Sequence, residues 1–307
     1  MRDFQNLYAL SKKKINNMEK LNASELVLTP EGSLYHIHLK PHQLADNIIL
    51  VGDPARVEMI SKYFDEIDFK VSNREITAHT GKFQGVGITA ISTGMGTDNI
   101  DIVLTELDAC ANINLETREV NASHRQLNLI RLGTTGALQK DIPCGSYIAS
   151  KYVVGLDGMM YFYKNKEGVL EEELTNSFIS FMNWDKSLPR PYGVMATDSL
   201  FSKIAYDMVS GITVTSPGFY GPQGREIRVP LAFPKINDML PAFIYKDYKI
   251  TNYEMETSAL YALSRNLGHN CLTICIVIAN RMRGEFIENY HNEMDALIHL
   301  TLKRLCK

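Results

Sequence analysis

The stretch Arg131-Leu-Gly-Thr-Thr-Gly136 contains the residue types that bind a small oxyanion. It overlaps the apolar run Leu127–Leu132, which predicts a buried strand. A buried arginine is costly unless an anion pairs with it. The glycines at 133 and 136 predict a tight turn after the strand, and the two threonines add hydroxyl donors. We therefore predict a cradle for an anion such as phosphate.

Two further arginines stand beside predicted strands. Arg56 follows the apolar run Asn47–Val51 and the Gly52-Asp-Pro54 turn, and Arg74 precedes the predicted strand Ile76–Phe83. Together with Arg131 and Thr134, they could hold phosphate by charge-assisted hydrogen bonds. A surface ion pair is the alternative for each arginine, and this alternative is strongest for Arg74.

A second group is Glu254-Met255-Glu256, which is predicted to begin a helix that ends at Gly268. Acidic residues suit the positive end of the helix dipole, and that alone would account for them. The functional alternative is that one carboxylate accepts hydrogen bonds from neighbouring sugar hydroxyls.

The third group is Phe219-Tyr-Gly-Pro-Gln-Gly-Arg225. Gln223 offers a donor and an acceptor, and Arg225 offers a rigid fork of donors. Together they complement a planar ring edge that presents a carbonyl, an N–H and a carbonyl, as uracil does. Phe219 could cover the ring or the sugar face. An ordinary polar loop is the alternative.

Composition excludes several classes of function. The chain has 307 residues, 45% of them hydrophobic, and a net charge of −3, so no basic field favours nucleic acid or an anionic membrane. No apolar run approaches the roughly 20 residues of a membrane span. Residues 1–20 lack the apolar core of a secretory signal and predict a solvated arm. Five cysteines in mostly apolar segments predict reduced thiols and a cytoplasmic location, with zinc at Cys271 and Cys275 as a remote alternative.

Strands and helices alternate along the chain, which predicts an α/β layer fold with a largely buried sheet in one domain. We expect an N-terminal arm over 1–30 and the domain over 31–307. The spacing predicts strands at 47–51, 76–83, 86–91, 127–132, 146–154, 213–215 and 271–279. It predicts helices at 55–65, 99–110, 254–267 and 288–305, and a helix capped by Asp198 that runs to about Val209. Residues 112–126 read as a loop, and 161–190 as a flap or surface helix.

The chain resembles the uridine phosphorylases of the nucleoside phosphorylase family. The resemblance runs from about His36 to the C-terminus. It is carried by motifs that occur in family order, namely Gly52-Asp-Pro-Ala-Arg56, Ser72-Asn-Arg-Glu75, Ser92-Thr-Gly-Met-Gly96, Arg131-Leu-Gly-Thr-Thr-Gly136, Leu156-Asp-Gly158, Phe219-Tyr-Gly-Pro-Gln-Gly-Arg225, Asn252-Tyr-Glu-Met-Glu256 and Asn280-Arg281. It implies a single-domain, three-layer fold whose central mixed, barrel-like sheet is flanked by helices.

The resemblance also implies a role for each matching residue. Gly52, Arg56, Arg131 and Thr134 would bind phosphate, with Arg74 reaching in from a neighbouring subunit. His36 would cross the same interface to the sugar, and Met255 and Glu256 would hold the ribose hydroxyls. The base would be bound by Phe219, Gln223, Arg225, Ile278 and, through water, Arg281. The implied partners are a nucleoside, phosphate and at least one further copy of the chain.

The resemblance implies chemistry without a metal or an organic cofactor. Glu75 matches a ligand for a monovalent cation that some members hold, but Asn99 stands where a serine is usual. Residues 1–30, residues 112–126 and Thr97-Asp98-Asn99 also depart from the compact pattern. These departures leave dimer and hexamer open.

Four other functions stay open as alternatives to a uridine phosphorylase, and a feature of the sequence or of the activity bears on each. A purine nucleoside phosphorylase of the same fold usually places an aspartate where Asn280-Arg281 stands here. A hydrolytic nucleosidase has no use for three phosphate-binding arginines. A non-catalytic nucleoside-binding protein would show no phosphate dependence. A nicotinamide-dependent dehydrogenase needs Gly-x-Gly-x-x-Gly after the first strand, which is missing.

Overall fold

The computed structural model describes residues 20–307. Residues 1–19, most of the predicted arm, lie outside the described residues. Residues 20–30 pack against the segment predicted as a loop at 112–126. Leu21 N donates to Arg118 O at 3.1 Å, the Arg118 side chain donates to Leu26 O, and Leu26 is buried. The division into an arm over 1–30 and a domain over 31–307 stays a prediction.

The centre of the fold is a mixed sheet. Its strands are β1 (Asn47–Val51), β2 (Glu66–Asn73), β3 (Ile76–Phe83), β4 (Val86–Ser92), β7 (Asn128–Ala137), β8 (Tyr147–Gly155), β9 (Tyr192–Met195), β10 (Val209–Thr215), β11 (Ile244–Tyr245), β12 (Tyr248–Glu254), β13 (Asn270–Asn280) and β14 (Glu285–Phe286). A separate hairpin, β5 (Ile113–Asn114) and β6 (Glu119–Val120), lies between β4 and β7 in the chain.

Five strands of the sheet close into a ring. The order β12-β10-β8-β13-β7 is completed by antiparallel pairing of β7 with β12, which places Gly136 opposite Tyr253. From β7 the sheet continues through β1, β4, β3 and β2, and β1 lies parallel to both β7 and β4. Residues 48–51 of β1 are fully buried, as the continuous apolar run predicts for a strand covered on both faces.

Seven α-helices accompany the sheet in the described chain. They are α1 (Ala55–Ser61), α2 (Thr97–Asn112), α3 (Glu172–Met182), α4 (Asp198–Ile204), α5 (Ile236–Met239), α6 (Thr257–Leu267) and α7 (His291–Leu305). Short 3₁₀ turns occur at Pro41–Gln43, Met159–Phe162, Gly221–Gln223 and Leu240–Ala242. The predicted α/β fold with a mixed, barrel-like sheet and flanking helices is confirmed. No helix within residues 20–307 is long and apolar enough to cross a bilayer.

The predicted turn at Gly133–Gly136 is wrong. These residues continue β7, pairing in parallel with β13 from Gly133 opposite Cys275 to Gly136 opposite Ala279. Position 133 has no space for a larger side chain, because a Cβ there would lie 2.2 Å from Arg131 Nη1 and 2.9 Å from Cys275 Sγ. The glycine therefore makes room for the arginine.

Three predicted helix boundaries are also wrong. Glu254 is the last residue of β12, and α6 begins only at Thr257. Asp198 lies inside α4, pairs with Lys151 Nζ and does not cap the helix; α4 ends at Ile204 because Val209 already begins β10. Local apolar spacing cannot separate a short helix from the strand that follows it.

Two further segments contain regular structure. Of the two alternatives for 161–190, a flap or a surface helix, the structure has a helix: α3 packs against the fold through the buried Leu174, Phe178 and Met182. Residues 113–120 form the β5–β6 hairpin. Strand β2 was missed because only part of its length is covered, and its burial alternates weakly.

Candidate active site

A cavity of about 890 Å³ opens at the carboxyl ends of β1, β4, β7 and β13. Crevices outside the carboxyl ends of parallel strands are the usual ligand sites of α/β sheets. Most of the predicted site residues line it: Gly52, Arg56, Arg131, Thr134, Phe219, Gln223, Arg225, Met255, Glu256 and Ile278. Residues far apart in the chain therefore meet in one site.

One part of the cavity lining is formed by two glycine turns and an arginine. Gly94 N donates to Gly52 O at 3.1 Å, and a Cβ on Gly52 would lie 3.4 Å from Gly94 O. Arg56, on α1, is half-buried, and its Nη2 donates to Tyr290 Oη at 3.1 Å. Glu75, which matches a cation ligand of some family members, and Asn99, which stands where a serine is usual, both lie next to Gly94 and line the cavity.

A buried charged cluster forms the inner wall. Arg131 Nη2 donates to Glu256 Oε2, and Arg131 Nη1 lies 3.6 Å from Glu254 Oε2 and 3.5 Å from Cys275 Sγ. Arg131 Nε has no partner. Burial lowers the pKa of Arg131, but Glu256, Cys275 and Glu254 outweigh it and the pKa is raised. Burial raises the pKa of Glu256, against the opposing effect of Arg131. Arg131 is thus a permanent cation facing the cavity.

Backbone groups complete this cluster. Glu254 Oε2 accepts hydrogen bonds from the N–H groups of Glu256 and Thr257, each at 2.9 Å, so it caps α6 from the strand before it. Glu256 Oε1 accepts from Gly96 N at 2.9 Å. The expected interaction of acidic residues with the start of this helix is therefore made by Glu254, which leaves Glu256 at the cavity wall.

Another part of the cavity lining is formed by the loop after β10, which contributes Phe219, Gln223 and Arg225. Arg225 Nη1 donates to Gln223 Oε1 at 2.6 Å and to Phe219 O, and the guanidinium lies 3.7 Å from the centroid of the Phe219 ring. Burial and the nearby Arg281 lower the pKa of Arg225 to about 10, so it is charged at neutral pH. Phe219 supports the arginine directly, which the sequence did not predict.

Three predicted site residues do not line this cavity. Arg281 lies beside Tyr253, with its guanidinium 5.8 Å from the centre of the Tyr253 ring. His36 and Arg74 lie together elsewhere: Asn73 Nδ2 donates to His36 O at 3.0 Å, and the Arg74 guanidinium lies 6.0 Å from the Tyr35 ring centre. In a single chain, His36 and Arg74 contribute nothing to this cavity.

Sequence reasoning missed Tyr253 and Phe286, which also line the cavity. The Tyr253 hydroxyl is buried without a hydrogen-bond partner, and burial raises its pKa. Its position inside Asn252-Tyr-Glu-Met-Glu256 was the available signal. Phe286 is 64% exposed at the mouth and follows no motif.

Two groups of side chains in the described chain carry atoms that can ligate metals. Burial raises the pKa values of Cys271 and Cys275 to about 12, as suits thiols packed in the core. Asp108, His124 and His269 converge, but Leu127 N–H donates to His269 Nδ1, so His269 Nε2 carries the proton and donates to Asp108. The lone pair that a metal needs is therefore missing at His269.

The chain is similar to known phosphorylases. A family model described as Phosphorylase superfamily matches residues 46–306. The chain belongs to the phosphorylase superfamily. Uridine phosphorylase of Thermococcus kodakarensis is 34% identical over 277 residues, covering 88% of this chain and 85% of the relative. Uridine phosphorylase of Haemophilus influenzae is 28% identical, covering 82% and 88%.

Other members of the superfamily are similar at lower identity or by structure. A DeoD-type purine nucleoside phosphorylase of Bacillus cereus is 26% identical over 251 residues, covering 81% of this chain and 88% of its own. The solved structure of a Trypanosoma brucei nucleoside phosphorylase, described as showing uridine phosphorylase activity, matches with a TM-score of 0.81 and 28% identity, covering 91% of this chain and 98% of that chain.

Proposed function

We propose that the protein catalyses the reversible phosphorolysis of uridine to uracil and ribose 1-phosphate, in pyrimidine nucleoside salvage. The observation that carries this proposal is the layout of one cavity. Arg56 and Arg131, the Gln223–Arg225 pair and Glu256 all line this one cavity. The uridine phosphorylases at 34% and 28% identity support it.

Phosphate binds at the part of the lining formed by Gly52, Arg56, Arg131 and Thr134. Arg131 enters the cavity as a cation that is already paired with Glu256. A phosphate dianion has oxygens enough to share the remaining guanidinium donors of both arginines. Because Arg131 is buried and fixed, little side-chain entropy is lost when the anion arrives.

The nucleoside lies between the phosphate and the Gln223–Arg225 pair. Glu256, with Met255 beside it, accepts hydrogen bonds from the ribose hydroxyls, and Gln223 and Arg225 bind the uracil edge. Ile278 covers part of the base, and Arg281 acts on it through water. Phe219 holds the Arg225 guanidinium in place by stacking.

The reaction proceeds by electrostatic stabilisation and positioning. Cleavage of the glycosidic bond leaves positive charge on the ribose and negative charge on the base. The bound phosphate stabilises the oxocarbenium-like ribose and then attacks its anomeric carbon. Arg225 and Gln223 stabilise the charge that develops on the uracil oxygens, and no covalent enzyme intermediate forms.

A purine nucleoside as substrate is disfavoured by Asn280. Its side chain is fully buried, and Nδ2 donates to Gln139 O at 2.9 Å and Ile142 O at 2.7 Å. An amide held in this way has no acidic proton to give to a purine ring. Asn280 therefore cannot take over the proton donation that the aspartate of this region performs in purine enzymes.

The active site is shared between copies of the chain. His36 and Arg74 lie together on a surface outside their own cavity, as expected of residues that complete the site of a neighbour. At least a dimer is required. The five free thiols suit a cytoplasmic enzyme, and the reaction needs phosphate as co-substrate without a cofactor.

A substrate panel tests the proposal. The protein is incubated with uridine, thymidine, 2′-deoxyuridine, inosine or adenosine, each with and without phosphate, and the free base is quantified. We expect uracil release from uridine that depends on phosphate. Equal release without phosphate would indicate a nucleosidase, release from inosine alone would indicate a purine enzyme, and binding without release would indicate a nucleoside-binding protein.

A further inference from the structure

The carboxylate of Glu106 stands under His36 and accepts three hydrogen-bond donors. Its oxygens accept from His36 N at 3.0 Å, from Ile37 N at 2.9 Å and from His36 Nδ1 at 2.6 Å. Glu106 lies on α2 and does not line the cavity of its own chain. Its side chain is 14% exposed and that of His36 is 29% exposed, so the imidazole is the more exposed of the two.

This arrangement fixes the proton of the imidazole. A carboxylate can only accept, so the hydrogen between Glu106 Oε1 and His36 Nδ1 belongs to Nδ1. In a neutral imidazole the other nitrogen then carries a lone pair. None of the hydrogen bonds within residues 20–307 involves Nε2 of His36. The exposed edge of His36 is therefore an acceptor that requires a donor from its ligand.

We propose that Glu106 is a positioning residue that fixes the His36 tautomer, so that Nε2 accepts a hydrogen bond from the 5′-hydroxyl of the nucleoside. This inference rests on the proposed function and its shared site. Glu256 and Met255 take the ring hydroxyls of the ribose, which leaves the 5′-hydroxyl as the sugar donor for His36. The site then selects nucleosides that have a free 5′-hydroxyl, because the hydrogen bond needs its proton.

Helix α2 explains why this carboxylate is well placed. Gly96 N, immediately before α2, donates to Glu256, and Glu106 holds His36 from a later turn of the same helix. The helix thus ties the ribose-binding carboxylate of one site to the sugar-binding histidine offered to another. A rigid helix transmits position between them more accurately than a loop would.

The test compares uridine, 5′-deoxyuridine and 5′-O-methyluridine in the wild type, in Glu106→Gln and in the control Glu116→Gln. Glu116 is exposed in the β5–β6 hairpin, so its change removes the same charge elsewhere. Assays at about pH 8.5 keep ordinary imidazoles neutral, since these titrate near 6.5. Wild type should prefer uridine over both analogues. 5′-Deoxyuridine lacks the 5′ oxygen, and 5′-O-methyluridine keeps the oxygen but has no proton to donate.

Glu106→Gln should lower kcat/KM for uridine about three- to tenfold, the value of one lost hydrogen bond, and leave 5′-deoxyuridine within about twofold. Glu116→Gln should change neither. Equal losses on uridine and 5′-deoxyuridine, or no loss on either, would overturn the proposal. Absence of phosphate-dependent cleavage in the wild type would instead overturn the proposed function.

Two readouts separate positioning from folding. Side-chain ¹⁵N shifts of His36 should report a proton on Nδ1 in the wild type and a mixture of tautomers in Glu106→Gln; a proton on Nε2 in the wild type contradicts the proposal. In a His36→Ala background, Glu106→Gln should not further change the ratio of kcat/KM for uridine to kcat/KM for 5′-deoxyuridine. If the Gln variant folds poorly, Glu106→Ala is examined in the same two ways.

Discussion

Arg225 is the residue on which the proposed uracil recognition depends most. It is held by Gln223 Oε1, the Phe219 carbonyl and the Phe219 ring, and it remains charged at neutral pH although burial and Arg281 lower its pKa to about 10. A cation held by three partners is pre-organised for charge that develops on the base, and it needs little rearrangement during the reaction.

Arg225→Ala should lower kcat/KM for uridine by a factor equivalent to about 2–4 kcal/mol, because one preorganised donor to the developing charge is lost. Steady-state kinetics with phosphate in excess measures this. Arg228→Ala is the matched control, since Arg228 is exposed in the same loop. A near-wild-type rate for Arg225→Ala would remove Arg225 from the mechanism.

Gly133→Ala tests why a glycine stands within β7. The new methyl group would lie 2.2 Å from Arg131 Nη1, so the arginine must leave its position against Glu256. We expect at least a tenfold loss of kcat/KM and a destabilisation of about 1–3 kcal/mol from overpacking. Kinetics and urea unfolding measure the two effects.

Gly87→Ala in β4 is the control for this experiment, because a Cβ there meets only Ala45 Cβ at 3.6 Å. It should be close to wild type in activity. If Gly133→Ala retained full activity and an unchanged KM for phosphate, the buried position of Arg131 would not matter for the reaction.

At the scale of single residues, the sequence predicted which side chains meet in the cavity better than it predicted the contacts between them. Arg131, Gln223 and Glu256 were identified from their types and neighbours, and the structure brings them into one cavity. The stacking of Phe219 on Arg225 and the pairing of Arg131 with Glu256 were not predicted. Both contacts join side chains whose directions are set by tertiary packing, which sequence spacing does not encode.

Secondary-structure elements show a corresponding pattern. Long apolar segments such as β13 and α7 were predicted nearly at their bounds, since burial on one or both faces dominates their sequences. Gly133 and Gly136 misled the prediction for β7, because a glycine that makes room for a side chain looks in sequence like a turn. The hairpin β5–β6 has too few residues to show periodicity.

The β5–β6 hairpin anchors the segment 20–30, and Arg118 makes the connection. It has a positive φ of 61°, and its side chain and carbonyl bind Leu26 O and Leu21 N. Arg118→Ala should lower the thermal midpoint by about 1–3 °C through loss of one hydrogen bond, with KM for uridine unchanged. Calorimetry and kinetics test this, with Glu116→Ala as the control.

A clear fall in kcat at a temperature where the Arg118→Ala variant is still folded would contradict this assignment. It would mean that the hairpin and the segment 20–30 act on the active site, although Arg118 does not line the cavity.

The whole molecule is proposed to work only as an oligomer, and mixing variants tests this. Arg74→Ala and Arg131→Ala chains should each be inactive or nearly so. After joint unfolding and refolding in equal amounts, about one quarter of all sites in a dimer should combine an intact Arg131 with an intact Arg74 from the other chain. Activity of the mixture should rise accordingly.

The control mixes Arg74→Ala with the double variant Arg74→Ala/Arg131→Ala, in which no combination of chains gives an intact site. Recovery in that mixture, or no recovery in the first one, contradicts a site shared between subunits. Size-exclusion chromatography of both mixtures verifies that oligomers have re-formed.

The closed ring of strands also sets the order in which activity can return during refolding. Gly136 and Tyr253 pair where β7 meets β12, and both residues line the cavity. They are far apart in sequence, so the chain entropy of closing that loop must be overcome before their contacts contribute, and such pairings form late. The pairing of β7 with β13 joins residues still farther apart, such as Asn128 and Asn270, so two pairings of β7 that border the cavity form late. Helix content should return before catalysis, because a chain that lacks these pairings of β7 cannot hold a substrate.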